Sequence, residues 1–318
     1  MGLDDFVNTY GADCKKRYGK RVKKLTIDAK FTCPNRDGTL GKGGCTFCNV
    51  ASFNDQQGNI KSIAEQLDNA KANVFTNKRV SNSHCHEQYI AYFQAYTSTY
   101  EEYAQLKLKY DQAVEDKQIV ALHIGTRPDC VPDEVLDLLV SYQESGIDVW
   151  LELGLQTAND DTLKLINRGH NFAAYHDAVT RARKRNIKVC CHLILGLPNE
   201  TQQDYLDSLQ QVITAGVDGI KLHPLHIVDG STMANQWRYK AFPLLTIDEY
   251  ADAASVLIQN TPSDIIFHRV TAYAKKPLLL APDWCAYRWD GLVAIVDRLA
   301  KQGGQGSALA DDTLSLVS

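Results

Sequence analysis

The chain has 318 residues, of which 44% are apolar and 23% are charged, and its formal net charge at pH 7 is −4. Such a composition is typical of a globular protein, and the near-neutral charge neither favours nor excludes an anionic partner. No apolar run reaches the roughly 18 residues that a membrane span needs, and residues 1–20 lack the apolar core of a signal peptide. We therefore expect a cytoplasmic protein, whose reducing surroundings favour clustered cysteines as metal ligands or catalysts over disulfides.

Residues 15–24 form a basic segment that contains seven basic residues and no acid. Such a run suits a phosphate-binding patch for a nucleic acid or nucleotide. It equally suits a solvated lead-in to the first strand, and the sequence leaves both interpretations open.

From residue 23 onward, hydrophobic periodicity predicts strands that alternate with helices. The first half of this pattern comprises a strand at 23–30, a helix at 62–75, a strand at 89–96, a helix at 101–114, a strand at 119–126 and a helix at 132–146. The second half comprises a strand at 148–157, a helix at 160–185 interrupted near 167–171, a strand at 188–198, a helix at 200–216 and a strand at 219–228. Six strands that alternate with helices predict a parallel sheet with right-handed crossovers.

Polar side chains on two of these strands favour a barrel over a flat, doubly wound sheet. In strand 148–157 one face carries leucines, whereas the other carries Glu152 and Gln156, which a dry core would not accommodate. In strand 188–198, Cys190 and His192 share a face in the same way. An apolar outside with a partly polar inside predicts a lumen that holds a ligand. The predicted fold class is therefore α/β, as a partial (β/α)6 TIM-like barrel with short N-terminal and C-terminal extensions.

The predicted barrel divides the chain into four regions. These are a basic lead-in at 1–24, the barrel core at 25–230, a C-terminal extension that packs on the barrel at 231–302, and a disordered tail at 303–318. Within the extension, periodicity predicts helices at 246–260 and 289–301 and a last strand near 264–272.

A glycine-rich loop at residues 31–50, after the first strand, brings together Cys33, Cys45 and Cys48. Three thiols are too many for one disulfide and one too few for a closed zinc site, so a further ligand must complete the site. A [4Fe–4S] cluster would bind the three thiolates and leave its fourth iron open to an exogenous ligand. A zinc ion would instead need a fourth ligand from further along the chain, for which the nearest candidates are His84, Cys85 and His86. The other cysteines are expected to be small buried apolar residues.

The cysteine loop and the motifs around it resemble the radical S-adenosylmethionine superfamily. Phe47 precedes the last cysteine, as an aromatic residue does in that superfamily, but the spacing is C-x11-C-x2-C where C-x3-C-x2-C is usual. The longer spacing is that of the YhcC-like branch, which is akin to the Elongator catalytic subunit. Further motifs extend the resemblance over roughly residues 20–300, namely FQAYTSTY, HIGTRPD, LELGLQTANDDTLKLINRGH, HLILGLPNET and IKLHPLHIV.

This resemblance implies an activity and two cofactors. A [4Fe–4S] cluster would be held by Cys33, Cys45 and Cys48, and the amino and carboxylate groups of S-adenosylmethionine would chelate its open iron. One electron from the reduced cluster then cleaves the sulfonium, and the resulting 5′-deoxyadenosyl radical abstracts hydrogen from a substrate. An electron donor such as flavodoxin or ferredoxin is the implied partner.

The resemblance also implies which residues contact S-adenosylmethionine. Phe47 matches an aromatic residue whose backbone lies near the adenine, Gln156 a ribose contact, and Arg168 an arginine that pairs with the methionine carboxylate. His192 occupies the place of an acidic ribose contact. Gln94 begins the segment that replaces the superfamily's Gly-Gly-Glu-Pro-type contact with the methionine amine, although the glycines and the acid are absent here.

The substrate is left open by these residues. Along the predicted sixth strand, alternation puts Lys221 and His223 on the lumen side and His226 on the other side. Glu152 is a further lumen candidate, and Cys190 is either a second radical carrier or a core cysteine. A small metabolite, a protein side chain or a tRNA fits the sequence equally well.

Two functions from other classes are consistent with the same loop. One is a zinc-stapled interaction protein, in which His84 or His86 completes a structural site with the three cysteines. The other is a barrel that carries a cluster for electron transfer alone. The metal content separates the first from a radical enzyme, and the response of the reduced cluster to S-adenosylmethionine separates the second.

Overall fold

The computed structural model describes residues 1–20, 22–49, 61–76, 87–240 and 242–309. Its centre is a curled sheet of seven parallel strands that follow one another in chain order. In spatial order they are β1 (Lys23–Ile27), β2 (Tyr89–Phe93), β3 (Ile119–Thr126), β4 (Asp148–Gln156), β5 (Lys188–Leu195), β6 (Gly219–Pro224) and β8 (Ile266–Arg269). The short strands β7 (Ile227–Val228) and β9 (Leu279–Ala281) pair antiparallel in a sheet of their own.

Helices connect the strands, since parallel neighbours need crossover connections, and the first and last helices flank the first and last strands. They are α1 (Tyr10–Tyr18), α2 (Pro34–Asp37), α3 (Ile63–Thr76), α4 (Tyr103–Val114), α5 (Asp133–Glu144), α6 (Asp160–Leu165), α7 (Phe172–Lys184), α8 (Gln202–Ala215), α9 (Thr232–Tyr239), α10 (Ile247–Gln259) and α11 (Asp290–Gln302). None of the described helices is long and apolar enough to cross a membrane.

The two faces of β4 confirm the predicted division into an apolar outside and a polar lumen. Leu151, Leu153 and Leu155 are fully buried in the core between the sheet and the helices. The intervening Glu152 and Gln156 line a cavity inside the sheet. Alternation along the strand puts these two sets on opposite faces, and the partial TIM-like barrel predicted from it is confirmed.

The sheet extends beyond the expected end of the barrel at residue 230. The seventh strand, β8, pairs in parallel with β6 and lies within the region predicted as a C-terminal extension. The sequence did predict a strand near 264–272. A strand of four residues outside the strand–helix alternation, however, does not indicate which other strand it pairs with. The expected boundary is therefore too early, because tertiary pairing rather than local pattern adds this strand to the barrel.

The basic lead-in contains a helix, α1, that closes the lower end of the lumen. Its Tyr10 is buried, packs against Trp150 and bonds to the Nε2 atom of His123 at 2.8 Å. On the outer side, Arg17 pairs with Asp148 at 2.5 Å. The lead-in is thus part of the fold, and at least two of its basic residues, Arg17 and Lys24, already have acidic partners within the chain.

The region predicted as a disordered tail begins with an ordered segment. The side-chain oxygen of Gln305 accepts a hydrogen bond from the backbone N–H of Asn8 at 2.8 Å, and its amide donates to the carbonyls of Pro262 and Ile265. The prediction is therefore wrong for residues 303–309, and residues 310–318 lie outside the described part of the chain.

Truncation of Leu153 tests the apolar outside of the barrel. Leu153→Ala should lower the free energy of unfolding by about 2–5 kcal/mol, because it leaves a cavity in a close-packed core. Urea denaturation of the purified protein measures the change. Leu165→Ala is the matched control, since Leu165 is 51% exposed and its truncation should cost little. A cost below about 1 kcal/mol for Leu153→Ala would contradict the packing described here.

Candidate functional site

A cavity of about 280 Å³ lies at the C-terminal ends of the barrel strands, where parallel barrels build their sites. Residues 33–49 of the cysteine loop form its upper wall, and the lumen faces of β2 to β6 and β8 form its lower wall. All residues predicted to bind the cofactors line it, namely Cys33, Cys45, Phe47, Cys48, Gln94, Gln156, Arg168 and His192. The fold therefore brings the predicted site residues together, while the role of each stays a prediction.

Hydrogen bonds fasten the cysteine loop to the turn between α6 and α7. The amide of Asn35, a residue that is 2% exposed, donates to the carbonyls of Asn167 at 2.7 Å and Arg168 at 3.1 Å. The amide of Asn167 donates in return to the carbonyl of Gly44 at 2.9 Å. Because buried polar groups need partners, these bonds hold loop and turn in one arrangement. Sequence analysis did not single out Asn35, which lies in the cysteine loop without being a metal ligand.

Gly169 allows this close approach of the turn to the loop. It has a φ of +76°, a conformation that favours glycine. A Cβ atom at this position would clash with the Oδ1 atom of Asn35, so another residue would displace the amide that joins the two segments. Alongside, the backbone N–H of Thr46 donates to the carbonyl of Ile166 at 3.0 Å. The turn thus sets the position of the loop.

The spacing of the three thiols bears on the metal they suit. Among the described residues, the ligand atoms of His123, Glu152 and His268 all lie within 4.8 Å of one another. The three cysteine sulfurs do not meet this condition. Zinc holds thiolates about 2.3 Å from one ion, which makes them roughly 3.8 Å apart. A cluster takes each thiolate on a different iron and accepts a wider spacing. The proposed additional zinc ligands lie outside the described residues, namely His84, Cys85 and His86.

Arg168 reaches from the α6–α7 turn to β4. Its Nε and Nη2 atoms donate to the carbonyl of Gly154 at 3.1 and 2.5 Å, and its Nη1 atom donates to the sulfur of Cys45 at 3.4 Å. A Cβ atom on Gly154 would lie 2.9 Å from Nη2 and 2.8 Å from the Nε2 atom of Gln156. Glycine at this position therefore leaves room for both side chains. All three guanidinium nitrogens of Arg168 already have partners, which the predicted carboxylate contact would have to share.

A second buried arginine, Arg127, has a free donor in the same part of the cavity. It is 2% exposed, and its Nε and Nη2 atoms pair with Asp129 at 3.0 and 2.8 Å. Its Nη1 atom is buried without a hydrogen-bond partner, which costs free energy unless a ligand supplies one. Burial would lower the pKa of this guanidinium, but Asp129 and, to a smaller extent, the thiols of Cys45 and Cys33 raise it. Arg127 follows β3 directly, a strand-end position that could have drawn attention to it from the sequence.

Below these groups, the carboxylate of Glu152 is the centre of a buried polar network. It is fully buried, and it accepts from the Nζ atom of Lys24 at 3.0 Å and from the Nζ atom of Lys221. Its oxygens also lie 2.8 Å from the Nδ1 atom of His123 and 3.1 Å from the Nε2 atom of His192. These partners come from β1, β3, β5 and β6. Two ammonium groups on one carboxylate leave little attraction for a metal cation, despite the nearby histidines.

The charges of this network follow from burial and neighbours. Burial alone would raise the pKa of Glu152, but the ammonium groups of Lys221 and Lys24 outweigh it and hold that pKa well below its usual range. Burial lowers the pKa of His123 to about 3 and that of His192 to about 4. Burial also lowers the pKa of Lys221, to about 8. At neutral pH the network therefore holds the carboxylate of Glu152, the neutral imidazoles of His123 and His192, and the charged ammonium of Lys221.

Two non-glycine residues at the mouth of the barrel have left-handed backbones. The φ angles are +62° at Tyr96, after β2, and +86° at Gln156, at the end of β4. Such conformations cost about 1–3 kcal/mol each and persist only where the surroundings enforce them. At β2, the backbone N–H of Thr97 donates to the carbonyl of Thr32, the residue before Cys33. The strand end is thereby tied to the cysteine loop.

One prediction about a lumen residue needs correction, and one open alternative is decided. His226 was expected on the face opposite Lys221 and His223, but it also lines the cavity, and its ring centre lies 4.5 Å from that of His223. Strand β6 ends at Pro224, so alternation no longer applies two residues later. Cys190 is fully buried below the cavity in a cluster with Trp150. It is therefore a core cysteine, the second of the two roles considered.

Comparison with known proteins gives matches over most of the chain. The Radical SAM superfamily matches residues 36–212, and the Radical_SAM C-terminal domain matches residues 217–301. Protein YhcC of Escherichia coli K12 is 52% identical over 309 residues, which are 97% of this chain and 97% of YhcC. YtqA of Bacillus subtilis is 35% identical over 93% of this chain and 90% of its own length.

A solved structure has a similar fold. The archaeal Methanocaldococcus infernus Elp3 with a deleted N-terminus aligns with a TM-score of 0.62, over 88% of this chain and 63% of that chain. The aligned residues are 16% identical. At this identity the likeness supports the partial barrel and nothing about substrate.

Buried neutral histidines predict a loss of stability in acid. The folded-state pKa of His123 is about 3 against an ordinary 6.5, so below pH 6.5 the unfolded chain takes up a proton that the folded chain does not. The contribution of the neutral His123 to the free energy of unfolding is complete above pH 6.5. It decreases as the pH falls towards 3, by up to about 1.4 kcal/mol per pH unit. Urea unfolding between pH 6.5 and 5 measures the free energy of unfolding at each pH. In His123→Asn this free energy should fall less steeply with decreasing pH than in the native protein, by up to about 1.4 kcal/mol per pH unit.

The control for this experiment is His176→Asn, because His176 is exposed on α7. This variant should keep the native slope. A native slope in His123→Asn as well would show that His123 takes up protons equally in both states, and would contradict the buried network.

Proposed function

This chain belongs to the radical SAM superfamily, and we propose that Cys33, Cys45 and Cys48 hold its [4Fe–4S] cluster while the adjoining cavity binds S-adenosylmethionine. The superfamily's cofactors are this cluster and S-adenosylmethionine, and its members are radical enzymes. In the proposed reaction, S-adenosylmethionine is cleaved reductively and hydrogen is abstracted from a substrate bound lower in the lumen. The observation that carries the proposal is the convergence of the three thiols and the buried arginines on one cavity.

The residues around the thiols suit a bound cluster. Three cysteines provide thiolate ligands for three irons and leave the fourth iron available. Asn35 and Arg168 both donate to the sulfur of Cys45, and such hydrogen bonds tune the charge and potential of a thiolate ligand. The three sulfur atoms do not all lie within 4.8 Å of one another, whereas a single zinc ion would hold them roughly 3.8 Å apart. These observations support the cluster over the zinc-stapled alternative.

The arginines suit the methionine end of S-adenosylmethionine. Arg168 matches the superfamily's carboxylate-pairing arginine, but its nitrogens are already bonded to Gly154 and Cys45. Arg127 has a buried Nη1 atom with no partner beside the same thiols. We therefore assign to Arg127 a direct hydrogen bond to the carboxylate, and to Arg168 a position between the carboxylate and the cluster.

The remaining predicted contacts surround the adenosine end. Phe47 comes from the cysteine loop, Gln94 from the end of β2, Gln156 from the end of β4 and His192 from β5. Their proposed roles are those the superfamily implies, namely adenine for Phe47, the methionine amine for the segment at Gln94, and ribose for Gln156 and His192. The Nε2 atom of His192 is bonded to Glu152, so its other ring nitrogen is the one that remains for a ribose hydroxyl.

When bound and reduced, the cluster supplies the electron that cleaves the sulfonium of S-adenosylmethionine into methionine and a 5′-deoxyadenosyl radical. The chain's own contribution is to hold the cluster ligands and the groups that would bind S-adenosylmethionine around one cavity. The proposed electron source is a flavodoxin or ferredoxin of the cytoplasm. A small metabolite or a tRNA stays a proposal for the substrate.

Replacing one cysteine tests the cluster assignment. After anaerobic reconstitution with iron and sulfide, the native protein should hold about four irons per chain and form 5′-deoxyadenosine with dithionite and S-adenosylmethionine. Cys45→Ala should lose both, because two thiolates hold the cluster poorly. Cys285→Ala is the control, since Cys285 is buried in a separate cluster beside β9. One zinc per native chain in place of iron would contradict the proposal.

Replacing Arg127 tests the carboxylate contact. Arg127→Gln should weaken the binding of S-adenosylmethionine by about 10-fold or more, because a hydrogen bond to a charged group contributes roughly 1.5–3 kcal/mol. Equilibrium dialysis of the iron-loaded protein measures the affinity. Arg183→Gln is the control, since Arg183 pairs with Asp218 at the surface. Native affinity in Arg127→Gln at full iron content would rule out the contact.

A further inference from the structure

We propose that the substrate binds by an anionic group, a carboxylate or a phosphate, to Lys221 and Arg269 in the lower part of the cavity. This inference rests on the proposed function, because it concerns the molecule from which hydrogen is taken. It adds the kind of chemical group on the substrate that the residues at the bottom of the lumen would bind.

Strand register brings the two cations together. Residue pairing across the sheet aligns Gly154 with His192, His192 with Lys221, and Lys221 with Arg269. Neighbouring strands lie about 4.8 Å apart, so Lys221 and Arg269 stand side by side at one height. Both line the cavity. An ammonium and a guanidinium that enter one cavity from neighbouring strands can bind two oxygens of a single carboxylate or phosphate.

The positive charges exceed the negative charge around them. Glu152 accepts from both Lys24 and Lys221, so one carboxylate is shared between two ammonium groups. Among the described residues, no carboxylate lies within ion-pair distance of Arg269, and its Nε atom is buried without a hydrogen-bond partner. One carboxylate against three cations leaves an excess of two positive charges. A partly buried guanidinium without a counter-ion is costly, and an anionic ligand would relieve that cost.

Neutral groups complete the same part of the wall. Burial lowers the pKa of His226 to about 4, and the charge of Arg269 adds to this effect. The hydroxyl of Tyr92 lies 3.0 Å from the Nζ atom of Lys221, and its ring lies beneath that ammonium group. These groups provide hydrogen bonds to a ligand without neutralising the cations. The anion is therefore expected to come from the ligand rather than from the chain.

S-adenosylmethionine does not account for this excess of charge. Its single anionic group is the carboxylate, which the proposed function directs to the cluster and Arg127 at the cysteine loop. Lys221 and Arg269 belong to β6 and β8, at the end of the sheet away from β1, the strand that precedes that loop. A second anion is needed for them, and the substrate is the molecule that must enter the lumen.

The first test measures protection of Arg269 in the native chain. The protein is reconstituted anaerobically, S-adenosylmethionine is added, and sodium succinate or inorganic phosphate is compared with sodium chloride at equal ionic strength. Phenylglyoxal labels guanidinium groups, and peptide mass spectrometry follows the rates at Arg269 and Arg238. An effective anion should slow labelling of Arg269 roughly 3-fold at twice its dissociation constant. Arg238 is exposed and paired with Asp229, so its rate should not change.

The second test uses variants and the melting temperature, Tm. The anion that protects Arg269 should raise the Tm of the native protein, and Arg269→Gln should lose this rise. Arg238→Gln is the matched control and should keep it. An iron content equal to that of the native protein shows that Arg269→Gln retains the fold. Because the labelling experiment uses the native chain, it decides the question even if the variant does not fold.

The outcomes separate this inference from the proposed function. Protection by succinate alone assigns a carboxylate, and protection by phosphate alone assigns a phosphate. If neither anion protects Arg269 beyond chloride, or if Arg269→Gln keeps the full rise in Tm, the inference is overturned. Iron and 5′-deoxyadenosine are measured on the same preparation. Their presence without protection overturns the anion site alone, whereas protection without iron overturns the cluster alone.

Discussion

One buried carboxylate, that of Glu152, determines what the inside of this barrel can be. It contacts side chains from β1, β3, β5 and β6, so strands far apart in the sheet meet at a single charge. Without it, the buried ammonium group of Lys221 would have no counter-charge, which is strongly unfavourable, and the partly exposed ammonium group of Lys24 would lose its partner as well. This network of hydrogen-bonded polar groups forms the floor of the lumen, and the cavity for ligands lies directly above it. The polar network around Glu152 therefore also forms the bottom of the cavity.

The cysteine loop depends on a different kind of constraint. Its described residues contain one short helix, α2, and its position comes from hydrogen bonds to the turn between α6 and α7 and to the end of β2. Asn35 is central to this attachment, since its amide reaches two carbonyls of the turn and also the sulfur of Cys45. The loop and Arg168 are thus positioned by the same turn. This explains how Asn35 and Arg168, which are more than a hundred residues apart in sequence, both donate a hydrogen bond to the sulfur of Cys45.

The two halves of the cavity suit different tasks. The upper half has thiols and arginines, which suit a cluster and the methionine end of S-adenosylmethionine. The lower half has an excess of cations on β6 and β8, which suits an anionic substrate. The similarity to YhcC extends over 97% of both chains, so the same division of the lumen can be looked for in that relative. Elp3 has a similar barrel, but at 16% identity its substrate does not transfer to this chain.

The sequence by itself determined the alternating strands and helices, the two faces of β4 and β5, and the three thiols with their superfamily resemblance. These features are local, because side-chain alternation and motif spacing are set within a few residues along the chain. Only the tertiary structure decided that β8 joins the sheet, that α1 closes the lumen, and that His226 returns to the cavity after β6 ends. It also decided the partners of Glu152, the free donor of Arg127 and the pairing of Lys221 with Arg269. Each of these depends on contacts between residues distant in sequence, and no local pattern encodes which distant residue a charge will meet.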